Sequence, residues 1–355
     1  MRLVAFLGVC GVLAGINAAM AQSQVRAPIA EQTDCNAASL LPRERYLCQV
    51  PVFRAAQDVF LEVYQRALRS TPRRLPLREE QAHWQELVFR SQLTPFAFDD
   101  FRVAYAARTR EVERIMSLTV EALARQYSLN DLRQSCVTPP PPGLEPSLLT
   151  CSLDKVDVLA GGRFAYQVQL WASPPVADGA HRHVQSATVV LERNSNVPGN
   201  DAGQHLRLVA WATSDDTSTA EPVYIRGNGG EFLHIPVTSN GSGAANEDVA
   251  FRRVHKEDRW QDIDVFRWQN EVDGRMPRGL TAMRGYNLDL ANLRATTTAA
   301  RPQDPSCCPT GGNVIVQLAL RGDQLIVDRV EVQPMPRQPS EPAPPGQRPS
   351  GPRRN

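Results

Sequence analysis

The sequence predicts an α+β protein, in which an antiparallel bundle of three helices precedes a mainly antiparallel β domain with a short helical insertion. Three observations carry this prediction. Apolar residues recur every three or four positions over residues 35–127, and they alternate with polar residues over residues 152–333. A proline-rich segment separates the two patterns. The change of period along the chain therefore indicates two folded parts of different class.

Residues 35–135 are predicted to form the helical domain. Its helices lie in "PVFRAAQDVFLEVYQRAL", "LREEQAHWQELVFRS" and "FDDFRVAYAARTREVERIMSLTVEALARQY", each with apolar residues on one face. The residues expected to face inward include, helix by helix, Phe53, Phe60 and Val63; Leu77, Trp84, Leu87 and Val88; and Phe98, Phe101, Tyr105, Val112, Ile115 and Leu123. Three amphipathic helices joined by short breaks bury these faces against one another, as in a helical bundle.

The rest of the chain is predicted to contain a linker, a β-rich domain and a tail. Residues 136–151, "CVTPPPPGLEPSLLTC", cannot be helical and are expected to be a stiff linker. Residues 152–333 alternate in "RFAYQVQLW" and "HLRLVAWAT", and "NVIVQLALRGDQLIVDRVEV" is typical of a hairpin with its turn at residues 321–324. Residues 334–355 are rich in proline and arginine and are expected to be disordered.

The first 21 residues have the pattern of a secretory signal peptide. Arg2 precedes an apolar run from Leu3 to Ile16, and "AMA", ending at Ala21, has the small residues of a cleavage site. A membrane-spanning helix needs about 20 apolar residues, so this run is too short to be an anchor. We expect cleavage near Ala21, a flexible leader over residues 22–34, no stable membrane insertion, and a periplasmic or secreted product.

The net charge bears on the possible partners, and the cysteine content bears on the disulfide bonds. The formal net charge is only +1, so no overall field attracts nucleic acid, and we expect no nucleic-acid partner. Of the seven cysteines, all but Cys10 follow the predicted cleavage site. An even number in an exported chain predicts disulfide bonds, because the periplasm is oxidising. The candidates for disulfide bonding are Cys35, Cys48, Cys136, Cys151, Cys307 and Cys308.

Three histidines of the β domain are candidate metal ligands. His181 and His183 lie in "DGAHRHVQ", and residues two apart on a strand point the same way, so two imidazoles could share a metal. His205 lies on a later strand, and the sequence assigns no third ligand. Exposed loop histidines explain the pattern more simply, and no nucleophile-elbow motif accompanies them. We therefore predict a non-enzyme without cofactor, metal or catalytic residues. The alternative is a hydrolase or metal-dependent enzyme in the β domain that uses these histidines.

Two further motifs are interpreted as ordinary structure. Asp262 and Asp264 in "WQDIDVF" resemble a catalytic acid pair, but solvent-facing carboxylates that alternate with buried Ile263 and Val265 account for them. The segments "GNGGEF" and "NGSGAAN" lack the lysine of a phosphate-binding loop and are interpreted as turns.

The helical part resembles a known family. "DCNAASLLPRERYLC", "AQDVFLEVYQRAL", "QAHW" and "FRVAYAARTREV" follow the pattern of the N-terminal domain of the LprI-like lysozyme inhibitors, which are secreted bacterial helical modules. The positions that match are Cys35, Ala37, Glu44, Cys48, Tyr64, Leu68, Gln81, Trp84, Tyr105 and Arg108, within residues 35–115. The β region, through "RWQDIDVFRW" and "DPSCCPTGG", is similar to an uncharacterised domain of exported bacterial proteins.

The resemblance implies a function and one disulfide bond. It implies a binding or inhibitor protein that acts on a lysozyme or on another component of the cell envelope; an envelope structural protein is the other non-enzymatic alternative. Family members often carry a second cysteine pair in the stretch that reads "FRSQLTPFAFDDF" here, where both are missing. Because one pair is lost together and the other is kept, the resemblance implies that Cys35 bonds Cys48.

Two arrangements then remain open for the last four cysteines. Cys307 and Cys308 could each bond one end of the linker, Cys136 and Cys151, and so tie the hairpin to it. Alternatively, Cys136 bonds Cys151, and the adjacent pair closes a strained ring that is easily reduced. We favour the first arrangement, because Pro309 and the two glycines that follow are typical of a turn held in place.

Overall fold

The computed structural model describes residues 33–36, 40, 42–89, 101–128, 130–131, 137, 149–159, 163–172, 183–193, 205–214, 218–219, 222–238, 248–305 and 307–334. Helices occupy the N-terminal part of these ranges and antiparallel strands the C-terminal part, so the α+β class is confirmed. The predicted signal peptide, most of the leader and all but residue 334 of the predicted tail lie outside the described residues, as do Cys136 and His181.

Four helices form the N-terminal part: α1 (Pro42–Gln49), α2 (Pro51–Ser70), α3 (Arg74–Phe89) and α4 (Phe101–Ala124). Helix α1 was not expected as a separate element. It ends before α2 because Val50, which precedes Pro51, is extended, with φ −105° and ψ 108°. The proline ring disfavours helical backbone at the preceding residue, while Pro51 itself fits the first turn of a helix, where its missing N–H is not needed.

Helices α2, α3 and α4 contribute to one apolar core. The predicted inward residues Phe60, Tyr105 and Val112 are almost fully buried there. Leu87 is a wrong prediction, because it is 48% exposed. At 3.6 residues per turn, Leu87 lies at the edge of the stripe on which Leu77, Val88 and the polar Gln81 are buried. The buried side of α3 thus includes a polar residue and leaves Leu87 outside it.

The first five strands form sheet I. They are β1 (Gln126–Tyr127), β2 (Leu149–Leu159), β3 (Arg163–Ala172), β4 (His183–Arg193) and β5 (Leu206–Ser214). They pair in the order β1-β5-β4-β3-β2, and every pairing is antiparallel. Strand β1 lies inside the predicted helical domain, and β2 begins inside the predicted linker. The domain boundaries expected from composition remain predictions.

The next strands form sheet II and a two-stranded pair. They are β6 (Ser218–Thr219), β7 (Val223–Gly227), β8 (Gly230–Ile235), β9 (Val237–Thr238), β10 (Val249–Val254) and β11 (Arg259–Ile263). Sheet II has the order β11-β10-β8-β7, and β6 pairs with β9. A short helix, α5 (Gln269–Val272), and single helical turns at His255–Glu257 and Asp273–Arg275 provide the helical insertion.

The last strands form sheet III. They are β12 (Thr281–Ala282), β13 (Asn287–Asp289), β14 (Arg294–Ala300), β15 (Gly312–Arg321) and β16 (Gln324–Gln333). The order is β12-β14-β15-β16, and β13 also pairs with β14. The predicted hairpin is confirmed as β15 and β16. Its turn contains Gly322 at φ 62°, a left-handed backbone that glycine adopts without steric cost.

Sheet II is buried on both faces. Leu233 and Phe251 pack in one core with Val190 of sheet I, whereas their neighbours Phe232 and Ala250 pack in another core with residues of sheet III. Successive side chains on a strand point to opposite faces, so adjacent residues serve different cores. The strands of sheet II are therefore apolar at consecutive positions, unlike strands with one face in solvent.

The connection between α2 and α3 attaches the helical part to the sheets. Asp262 of β11 is 2% exposed; its Oδ2 accepts a 2.8 Å hydrogen bond from the Leu75 amide at the start of α3, and its own amide donates to the Pro72 carbonyl at 2.8 Å. The Arg78 guanidinium is 2.9 Å from the Asp323 carboxylate. The interpretation of Asp262 as a solvent-facing carboxylate is wrong: it faces a helix N-terminus, which favours an acceptor.

Burial changes the ionisation of this carboxyl group. Loss of hydration raises the pKa of Asp262 to about 6, although Arg73 and the amides of Leu75 and Arg74 act in the opposite direction. Loss of hydration also lowers the pKa of Arg73, whose guanidinium donates to the Trp211 carbonyl of β5 at 3.0 Å. The contact between the α2–α3 connection and the sheets, which we call the junction, therefore contains an acid and a base that both lose hydration when the protein folds.

Replacing Asp262 by Asn should change how stability depends on pH. In the folded chain the pKa of Asp262 is about 6, above its ordinary value of 3.8, so ionisation lowers the free energy of unfolding as pH rises between these values. The shift corresponds to about 3 kcal/mol. Asp262→Asn keeps an acceptor oxygen but cannot ionise. Its free energy of unfolding relative to the wild type should therefore rise from pH 4 to pH 7, measured by denaturant titration.

The control for this experiment is Asp328→Asn, which removes an exposed carboxylate of β16. Its stability profile should run parallel to that of the wild type. Parallel profiles for Asp262→Asn as well would contradict the assignment of the pH dependence to the buried carboxyl group.

Candidate functional site

The structure separates the histidines that the sequence placed in one hypothetical metal site. His183 is the first residue of β4, and its pairing partner is Trp171. His205 precedes Leu206, which pairs with Arg193 at the other end of β4. A strand rises about 3.3 Å per residue, so the two histidines lie roughly 30 Å apart and cannot bind one ion. His205 is therefore too far from His183 to complete a metal site with it.

His205 has a local structural contact instead. Its ring Nδ1 lies 3.0 Å from Oε1 of Gln126 on β1, and its backbone is left-handed at φ 59°. Among the residues that the structure describes, no group of three or more His, Cys, Asp or Glu side chains is placed to bind a metal ion.

A different histidine has a carboxylate partner. His234 of β8 places Nε2 3.0 Å from Oδ2 of Asp248, and both side chains are 12% exposed. Asp248 directly precedes β10, in which Ala250 pairs with His234. The register of sheet II therefore brings together two residues fourteen positions apart. Sequence reasoning missed the pair, because a histidine in the apolar segment "FLHIP" gives no local sign of its partner.

A small pocket lies beside Asp248 of this pair. Asp248, Phe266, Trp268 and Tyr286 contribute to its wall. Trp268 is fully buried and its ring meets that of Tyr286 edge-on, with 4.8 Å between centroids. Burial and the negative charge of Asp273 raise the pKa of Tyr286, so its phenol stays protonated at neutral pH. The Asp248 carboxylate, which contacts the His234 ring, is thus the acidic group in the wall of a pocket otherwise lined largely by apolar and aromatic side chains.

The residues that match the inhibitor pattern contact one another inside the helical part. The buried Arg108 side chain donates from Nε to Oε1 of Gln81 at 3.1 Å. The rings of Trp84 and Tyr105 lie 5.1 Å apart, and Tyr64 is fully buried. These side chains form the interior of the helical part, as expected for framework residues, and they do not provide a binding surface.

The large apolar side chains that remain exposed are concentrated on the helices. Of seven such residues in the described ranges, five lie on α2, α3 and α4. They are Val52, Val59, Leu87, Val103 and Val120, and the other two are Val223 of β7 and Phe266. We call Val52, Val59 and Val103 the valine surface. Val52 and Val59 belong to α2 and Val103 to α4, and the cores of these two helices meet where the Phe53 and Phe101 rings lie 5.6 Å apart.

The cysteines are only partly arranged as expected. The Cys35–Cys48 disulfide is confirmed, and it ties the chain before α1 to that helix. Cys151 in β2 is also disulfide-bonded. Cys307 and Cys308 are exposed free thiols, so the favoured cross-link from them to Cys136 and Cys151 is not formed. The loop between β14 and β15 is held by its own hydrogen bonds and keeps both sulphurs at the surface.

No protein-family model matches this chain, and no curated protein or solved structure matches it significantly. In the described part of the chain, no helix combines the length and the apolar character needed to cross a bilayer. The fold itself defines an α+β protein with a disulfide-bonded helical part.

The buried contact between Arg108 and Gln81 should be important for stability. Arg108→Met leaves the Oε1 atom of Gln81 without its donor in the core. An unpaired buried polar group costs about 1–3 kcal/mol, so the free energy of unfolding should fall by about that amount. Arg110→Met on the exposed face of the same helix is the matched control, and it should change stability by less than about 0.5 kcal/mol. Equal effects in chemical denaturation would contradict the framework role.

Proposed function

We propose that this chain is an exported, non-enzymatic binding protein, in which an LprI-like bundle of three helices binds a protein of the cell envelope. A lysozyme is the first candidate partner, because the resemblance of the helical part is to lysozyme inhibitors. The observation that carries the proposal is the concentration of exposed apolar side chains on the helices. Apolar groups left in water on one part of a surface are typical of protein interaction sites.

Two members of the valine surface lie on one side of α2, and all three are open to solvent. Val52 and Val59 are seven residues apart on α2, so they lie on the same side of this helix, while Phe53 and Phe60 beside them point into the core. Val59 is 59% exposed and Val103 is 61% exposed. A partner that covers these side chains removes apolar area from water at about 25 cal/mol per Å².

The charges near the valine surface are mixed. Arg54 and Asp58 are exposed on α2, and Arg102 is exposed beside Val103 on α4. A surface of mixed charge does not select a strongly acidic or basic partner, so shape and apolar contact would determine recognition. The Cys35–Cys48 bond close to these helices is compatible with a protein that works outside the cytoplasm.

The proposal is tested first by lysozyme inhibition. Residual activity of a lysozyme is measured with excess mature protein, and we expect a stoichiometric decrease. Full lysozyme activity would remove this enzyme as the partner. A pull-down from a native periplasmic extract, with the mature protein as bait, would then show whether another envelope protein binds.

Two substitutions test the surface. Val59→Asp or Val103→Asp places a charge in the proposed contact and should weaken binding at least about tenfold, which corresponds to 1.4 kcal/mol. Both side chains are exposed, so the melting temperature should change little. Val223→Asp, on the exposed β7, is the matched control and should bind as the wild type does. Binding lost equally in all three variants would contradict the assignment to the helices.

The enzyme alternative is favoured by one observation, the His234–Asp248 pair beside the pocket. If a metal-dependent activity resides there, purified protein should contain stoichiometric zinc, and His234→Gln should lose it while His205→Gln retains it. Metal analysis by mass spectrometry measures this directly. Stoichiometric zinc in the wild type would overturn the non-enzymatic proposal, whereas its absence from all three proteins would remove the metal-dependent alternative.

A further inference from the structure

The loop between β14 and β15 presents two neighbouring thiols. The Sγ atoms of Cys307 and Cys308 are 2.6 Å apart, and both residues are exposed. This separation is longer than the 2.05 Å of a disulfide bond, and both cysteines are free thiols. Each thiol therefore has a reaction partner in place and is accessible to a reagent from solvent.

Hydrogen bonds hold the backbone of the loop on both sides of the pair. The Asp304 carboxylate accepts from the Arg301 amide at 2.8 Å and from the amide and hydroxyl of Thr310, both at 2.7 Å. These bonds lower the pKa of Asp304, the Arg301 amide having the largest effect. The Cys308 amide donates to the Pro305 carbonyl at 2.9 Å, which closes a turn over the first cysteine.

Where the loop enters β15 of sheet III, two glycines occupy positions that have no space for a side chain. A Cβ atom on Gly311 would lie 2.7 Å from the Ala299 carbonyl oxygen, and one on Gly312 would lie 2.3 Å from that of Gln333. Gly312 has φ +119°, a backbone that other residues rarely adopt. The two glycines fix the start of β15 against its neighbours. If the two thiols form a bond, we therefore expect the conformational change to be confined to the loop.

We propose that Cys307 and Cys308 form a redox-active dithiol, which closes to a disulfide between the two neighbouring residues by exchange with a low-molecular-weight disulfide. One thiolate attacks the external disulfide, forms a mixed disulfide and expels a thiolate. The second cysteine loses its proton and attacks the protein sulphur of the mixed disulfide, which expels the other thiolate. The protein loses two protons and two electrons, and the external disulfide is reduced to two thiols.

Proximity favours the closed ring over a stable mixed disulfide. The second sulphur is in contact with the first, so the closing step is intramolecular and does not depend on a second collision. The ring between adjacent residues is strained, because it contains a peptide bond that prefers to be planar and trans. Strained, exposed disulfides are the ones that are readily reduced again, so the reaction should be reversible.

The test follows the thiols of the mature wild-type protein in buffers of increasing ratio of oxidised to reduced glutathione. After acid quenching and alkylation, trypsin releases residues 295–321, because Pro302 blocks cleavage at Arg301. This peptide holds Cys307 and Cys308 and no other cysteine. We expect this peptide to carry two alkyl groups in reducing buffer and none in oxidising buffer, where it is two hydrogen atoms lighter than the unmodified dithiol. Excess reduced glutathione should restore both alkyl groups, while the Cys35–Cys48 bond persists.

Single substitutions give the matched control. Cys307→Ser and Cys308→Ser leave one thiol, which cannot close a ring and should carry glutathione in oxidising buffer. Three results for the wild type would overturn the proposal. The peptide could remain a dithiol in the most oxidising buffer, it could carry glutathione as the main product, or it could be linked to a peptide that contains another cysteine. Each has a distinct mass, and none depends on the identity of the proposed envelope partner.

Discussion

The hydrogen bonds of the buried Asp262 determine how the helical part is placed on the sheets. Its carboxylate accepts from the first turn of α3 and its amide donates to Pro72, so one residue of β11 fixes both the start of a helix and the turn before it. Arg73 extends the junction to Trp211 of β5. Sheet I and sheet II are thus both attached to the same corner of the helical part. Apolar contact alone would not determine this orientation, because it has no directional requirement.

A second buried polar cluster connects the two sheets with each other. Glu192 of β4 is 6% exposed and accepts from Nη1 of Arg253 at 2.8 Å and from Nε1 of Trp260 at 3.1 Å. These partners lie on β10 and β11, so the cluster crosses from sheet I to sheet II. Around it the contacts are apolar, with Val190 and Phe251 in the same core. The polar groups therefore define which residues face one another, while the apolar groups provide most of the burial.

The sequence predicted what depends on local pattern and missed what depends on register. Helix faces and the β15–β16 hairpin follow from periods of 3.6 and 2 and from a glycine turn. Polar and apolar residues alternate around Asp262, as they do in a strand with one face in solvent. Nothing in the neighbouring sequence indicates that the N-terminus of α3 covers the polar face of this strand. The His234–Asp248 pair joins residues of two strands and becomes visible only with the pairing of β8 and β10. The sequence pattern favoured bonds from Cys307 and Cys308 to the linker cysteines, whereas both are exposed free thiols.

Asp262 and Arg73 should act as a unit, because each makes the burial of the other less unfavourable. Burial raises the pKa of the acid and lowers that of the base, and the charge of each partner opposes the effect on the other. Removing Arg73 leaves the Asp262 carboxylate without its compensating charge at the junction, which is more costly than exchanging both for apolar groups of similar size. A junction of this kind tolerates little rearrangement. The helical part, with its exposed valines, is therefore held in one orientation on the sheets, and a partner that binds the valine surface meets a surface already in its final arrangement.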